Sequence, residues 1–207
     1  RRKRRRRKCI MWAIFKKELK SYFLSPIGYV VIGVLLFVCT VFFYLTTVSS
    51  GSVDLGALYF YTVLYGLMIA VPILTMRMFA EERKNGTEQL ILTSPVNIAG
   101  VVLGKFFAAL FVIFVATLAT LMYFGIISYF ANPNIAVVLV MMLGFVLVSG
   151  AAISIGMFAS SITENQVIAG IITIAFLIMS LFIPQLGEEF QMISIMDFYQ
   201  NFPNGVI

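Results

Sequence analysis

The side chains that could do chemistry in this chain fall in two short stretches. All 15 Lys and Arg lie within residues 1–20 or 77–105, and there is no histidine. The second stretch, RMFAEERKNGTEQLILTSPVNIAGVVLGK, carries Arg77, Glu81, Glu82, Arg83, Lys84, Glu88 and Lys105. Without imidazole the chain lacks the commonest general base and metal ligand. The apolar stretches hold no Asp pair for proteolysis and no base for a serine nucleophile, so Ser154 and Ser160 read as packing residues. GVVLGK at 100–105 looks superficially like a phosphate loop. Only three residues separate its glycines, and Phe106 stands where Ser or Thr would hold magnesium. Gly100 and Gly104 read instead as a close-packing pair of a membrane helix, as do Gly150 and Gly156 in the small-residue run further on. No catalytic centre and no metal site is expected.

What remains is a charged segment with readable local structure. Asn85-Gly86 is a turn signal. Thr87 is a good N-cap, and Glu88 follows where a helix dipole favours an acid. Leu90, Ile91 and Leu92 give the short helix an apolar side, and Ser94 before Pro95 should stop it. Such a helix between two apolar runs is suited to being gripped by a partner. A solvated loop with one helical turn fits the same residues.

The elements around this segment follow from composition. The chain is 61% hydrophobic and 12% charged over 207 residues, with a mean hydropathy of +1.00. No soluble domain of that size hides so much apolar surface, so an all-α integral membrane protein is expected. The net charge of +6 comes from the head RRKRRRRK. On a membrane protein that tail (residues 1–10, or an extension before a natural start at Met11) faces anionic lipid; nucleic acid is the rival reading, and no nucleic-acid partner is expected. Residues 11–26 form an amphipathic helix, with Trp12, Phe15, Leu19, Tyr22 and Phe23 on one face and Lys16, Lys17 and Lys20 on another. That pattern predicts an interfacial helix, apolar side down, ended by Pro26. Five spans follow, roughly 27–48, 58–79, 99–128, 135–161 and 166–186, within a membrane domain over 27–207. Lys105 is expected to snorkel to the interface from the start of the third span.

Orientation comes from counting. With five spans, residues 1–20 and 77–105 share a side, and the opposite loops contain no Lys or Arg. The positive-inside rule puts that side, and the N-terminus, in the cytoplasm. The spans carry almost no ionisable group, so an ion-coupled mechanism has nothing to run on and energy must come from a partner.

MWAIFKKELKSYFLSPIGYV at 11–30, FAEERKNGTEQLILTSPV at 79–96 and VVLGKF at 101–106 resemble the membrane subunit of an ABC-2 type ATP-binding-cassette exporter. The likeness covers roughly residues 11–207 and is greatest to the permeases associated with bacterial gliding motility. It implies six spans per subunit, a homo- or heterodimer in the bacterial inner membrane, and a separate cytoplasmic ATPase that supplies ATP and Mg. It also implies that an elbow helix (Trp12, Phe15, Lys16, Lys17, Lys20) and a coupling segment (Glu81, Glu82, Arg83, Gly86, Thr87, Glu88, Leu90, Ile91, Thr93, Ser94, Pro95) dock that ATPase, with the acidic and basic members pairing to it. The chain stops at Ile207, where a sixth span would begin. A membrane anchor that moves nothing is the alternative from another functional class.

Overall fold

The computed structural model describes residues 2–49, 55–86, 98–130 and 135–182, and among these every regular element is helical. Six elements follow in order. They are α1 (Arg2–Leu24), α2 (Pro26–Val48), α3 (Gly56–Lys84), α4 (Ile98–Tyr129), α5 (Ile135–Ile162) and α6 (Gln166–Phe182). By length and composition α2 to α5 can each cross a membrane. The 17 described residues of α6 reach about 25 Å, a little short of a hydrocarbon core of about 30 Å. The expected continuation to residue 186, and the segment after it, lie outside the described residues. The all-α membrane architecture read from hydropathy is the one observed.

The first corner follows from Pro26. Ser25 is extended (φ −89°, ψ 152°) and Pro26 takes the first turn of α2, because a residue before proline is pushed out of the helical region while proline at a helix start loses no bond. α1 is longer than predicted. It begins at Arg2, so the basic head and the elbow form one continuous helix.

α3 is the centre of the bundle, packed on α2, α5 and α6, and it is the most buried of the four spans. It is also the least regular. A π-helical turn covers Thr62–Leu67, Pro72 sits inside the helix, and residues 76–79 form a turn before the helix resumes at Ala80–Lys84. The first π-helical turn, Tyr44–Val48, ends α2. Phe42 of α2 stacks on Tyr61 and Tyr65 of α3, with ring centroids 4.9 and 5.3 Å apart. α4 also packs on α5, where Ala108, Val112 and Ile113 face a core shared with Phe145, Ala152 and Ile153.

α1 runs antiparallel along α4. Glu18 reaches Lys105, and Phe15, nearer the N-terminus, meets Phe111 edge-on at 6.1 Å. Tyr22 is buried, and Phe15 and Phe23 pack partly against the core. The apolar face expected to enter the bilayer is therefore turned mostly against protein. Only Trp12 on that face is well exposed, at 56%.

Candidate functional site

The charged residues converge where α3 ends, α4 begins and α1 passes. The break in α3 comes first, because it sets the rest. A helix interrupted at 76–79 leaves the next amides without an intrahelical acceptor, and buried amides must find one. Ser160 near the end of α5 supplies it. Its Oγ accepts from the N–H of Phe79 at 3.1 Å and of Ala80 at 3.2 Å, and it donates to the Met76 carbonyl at 3.4 Å. One turn earlier on α5, Gly156 lets Thr75 approach. A Cβ there would lie 2.9 Å from Thr75 Cβ, closer than side chains tolerate. Gly156 and Ser160 together form the seat for the broken end of α3.

Lys105 occupies the middle of the cluster. Its residue is 2% exposed. Its Nζ donates to the Met78 carbonyl at 2.7 Å and to Glu82 Oε1 at 2.8 Å, lies 3.5 Å from Glu18 Oε1, and sits 5.2 Å from the Phe79 ring centroid. A buried ammonium is tolerated only when its charge and its donors are answered. Here the two carboxylates come from α1 and α3 while the lysine belongs to α4, so one side chain ties three elements. The sequence expectation that Lys105 snorkels to the interface is corrected. Residues from α1 and α3 surround it before it reaches solvent.

Arg77 and Glu81 form a second, wetter pair. The guanidinium is bidentate to the carboxylate, at 2.8 and 3.0 Å, with the side chains 38% and 37% exposed. Beyond it lies a cavity of about 520 Å³, bordered by Lys17, Ser21 and Tyr22 on one side and Arg77, Glu81 and Asn85 on the other. The Tyr22 hydroxyl donates to the Leu74 carbonyl at 3.4 Å. Burial pushes that hydroxyl well above its ordinary range, with the Glu18 charge adding to it and Arg77 opposing.

A model of ABC-2 family transporter proteins matches residues 57–201 of this sequence, a stretch that runs from the second residue of α3 past the end of α6 and includes the whole of the segment between α3 and α4. The chain belongs to that family. It is a multi-pass membrane permease subunit of an ABC transporter, a transport subunit and not itself the catalyst. No curated protein and no solved structure matches the permease.

The predicted site residues separate into three groups. Glu81, Glu82 and Arg83 lie on the last turn of α3, and Gly86 closes it with a positive φ of 68°, the left-handed conformation, where the Asn85-Gly86 pair signalled a turn. Thr87, Glu88, Leu90, Ile91, Thr93, Ser94 and Pro95 lie outside the described residues. On α1, Trp12 stacks on Phe15 at 5.3 Å, Lys16 Nζ stands 5.5 Å from the Trp12 ring centroid, Lys17 borders the cavity, and Lys20 is exposed.

The glycines divide as well. A Cβ on Gly100 would meet nothing within 4 Å, whereas Gly104 is buried and faces α1 beside Trp12 and Phe15, so the two do not act as a pair among the described residues. Gly150 makes ordinary contact with Leu110 and Phe106 of α4, 3.5 and 3.6 Å from its would-be Cβ. Glu18 and Ser160 were not singled out from the sequence as site residues. Glu18 carried a signal, as the single acid among the lysines of α1. Ser160 carried none, since its role depends on a break in a helix 80 residues away.

Proposed function

We propose that the permease is driven by a separate cytoplasmic ATPase, which grips residues 79–96, and that the Lys105 cluster hands the movement of that segment to the spans. The observation that carries this is the position of the cluster. It joins the end of α3 and the start of α4, the two helices between which the segment hangs, and adds α1 through Glu18. A pull on the segment is then felt by three elements rather than by one loop. Glu82 serves this joint from within, and Glu81 is held by Arg77. The residues left to meet the ATPase are those further along, with Glu88 and Leu90 foremost, as the family resemblance implies.

ATP and Mg are bound by the ATPase, not by this chain. The concentration of Lys and Arg at this end supports a cytoplasmic side for it and for the N-terminus, in a bacterial inner membrane. A second permease subunit completes the pore, and transport runs outward. The likeness at residues 79–106 favours a relative of the gliding-motility permeases.

Affinity purification of the tagged chain from its native host in mild detergent tests the docking claim. An ATPase with a phosphate-binding loop is expected with the native chain and is expected to be lost from a Leu90→Asp, Glu88→Lys variant that still purifies as a folded protein. An ATPase retained by the variant would overturn the assignment of the docking segment. No ATPase with either chain would favour the anchor reading.

A further inference from the structure

A second feature lies apart from the charged cluster. Between α1 and α4 runs a groove of about 350 Å³, lined by Trp12, Phe15, Phe107, Leu110, Phe111 and Phe114, with almost wholly apolar walls. Its volume falls in the range of small-molecule sites, about 300–1,000 Å³. Phe107, Phe111 and Phe114 remain 39–44% exposed, so the groove opens outward from the bundle.

Its level in the membrane can be fixed. α4 has 32 residues, about 48 Å of helix against a hydrocarbon core of about 30 Å. Its first turns carry Lys105, which pairs there with carboxylates of α1 and α3, so the surplus length lies at that end, outside the hydrocarbon. On α4 the groove is lined from Gly104 to Phe114, so it begins level with Lys105 and continues for about three turns toward the bilayer centre. It therefore straddles the boundary where headgroups give way to acyl chains. At its rim the exposed Lys16 places its ammonium 5.5 Å from the centroid of the Trp12 ring, and Lys20 adds positive charge on the same helix. An apolar slot with cations at its rim matches one ligand chemistry, an acyl chain that carries an anionic headgroup. A second copy of this chain would bring the same positive rim and be repelled by it.

We propose that this groove binds an anionic phospholipid, with an acyl chain between α1 and α4 and the phosphate beside Lys16. Bound there, the lipid fastens α1 to α4 on the side away from the Glu18–Lys105 contact. The site needs neither the ATPase nor transport.

Trp12 is the single tryptophan of the chain, so it reports on its own groove. The full chain is reconstituted in phosphatidylcholine vesicles holding a small fraction of either brominated phosphatidylglycerol or brominated phosphatidylcholine. Brominated phosphatidylglycerol is expected to quench Trp12 at about one fifth of the concentration needed for the zwitterionic lipid, the weight of one surface cation facing an anionic lipid. Lys16→Gln should abolish that preference. Val146→Phe, which narrows the groove without touching charge, should weaken quenching by both lipids. Replacing the basic residues of 1–8 with serine should leave the preference in place. Thermal melting of each variant checks that it is folded. Equal quenching by the two lipids would overturn the proposal, as would loss of preference in the 1–8 variant. Protection of Trp12 from both lipids would overturn it too, by showing that a second subunit covers the groove.

Discussion

At the charged end, α1, α3, α4 and α5 are joined by contacts that each depend on a particular atom. Lys105 Nζ serves the Met78 carbonyl, Glu82 and Glu18, and Ser160 Oγ serves the amides of Phe79 and Ala80. Midway along α4 and α5 the contact is apolar instead. There Ala108, Val112 and Ile113 share an apolar core with Phe145, Ala152 and Ile153. In lipid, apolar surface has no strong preference for protein over acyl chains, so such a contact can slide at small cost. A contact that leaves a buried charge or amide unanswered when it parts cannot slide. The charged end is thus held as a unit, and the middle of the bundle resists sliding less.

Breaking the joint should have the largest effect. Lys105→Met leaves Glu82 and Glu18, whose side chains are only 19% and 16% exposed, without their cation. Denaturant unfolding in micelles should show a loss of about 3–5 kcal/mol, the usual cost of removing one partner from a buried ion pair. Next comes Ser160→Ala. It strips the acceptor from two amides, one belonging to the fully buried Ala80, and should cost about 1–3 kcal/mol by the same measurement. Glu81→Gln, which breaks the half-exposed pair with Arg77, should cost no more than about 1 kcal/mol, and that loss should shrink further in high salt. At the bottom of the scale, Gly100→Ala adds a methyl where nothing stands within 4 Å. Its effect should stay within about 0.5 kcal/mol. If Glu81→Gln proved as damaging as Lys105→Met, the division between a buried joint and a wet rim would fail.

Much of this was legible in the sequence, for physical reasons. Hydropathy marks the spans because a bilayer demands about 20 apolar residues in a row; Pro26 marks a start because its ring allows little else, and Gly86 marks an end because it accepts a positive φ that other residues resist. What stayed hidden was partnership across the chain. Lys105 follows seven residues of α4, and by helix pattern alone it reads as a snorkelling cation. Its burial is decided by Glu18, 87 residues earlier in the chain, brought alongside by the run of α1 on α4. The break in α3 falls after Pro72 and includes Arg77, where the sequence put a simple span end near residue 79. It persists because Ser160 answers the freed amides. Among the glycines, composition marked all four packing candidates alike. Only the neighbouring helix separates Gly156, pressed against Thr75, from Gly100, which faces open space.

The most direct test of the joint is a double-mutant cycle across Lys105 and Glu82. Lys105→Met, Glu82→Gln and the double variant would be unfolded by denaturant in micelles beside the native chain. The double variant is expected to recover part of the loss, with a coupling energy of about 1–3 kcal/mol between the two positions. Simple additivity would contradict the account, because it would mean that Lys105 and Glu82 stand 2.8 Å apart without holding α3 and α4 together.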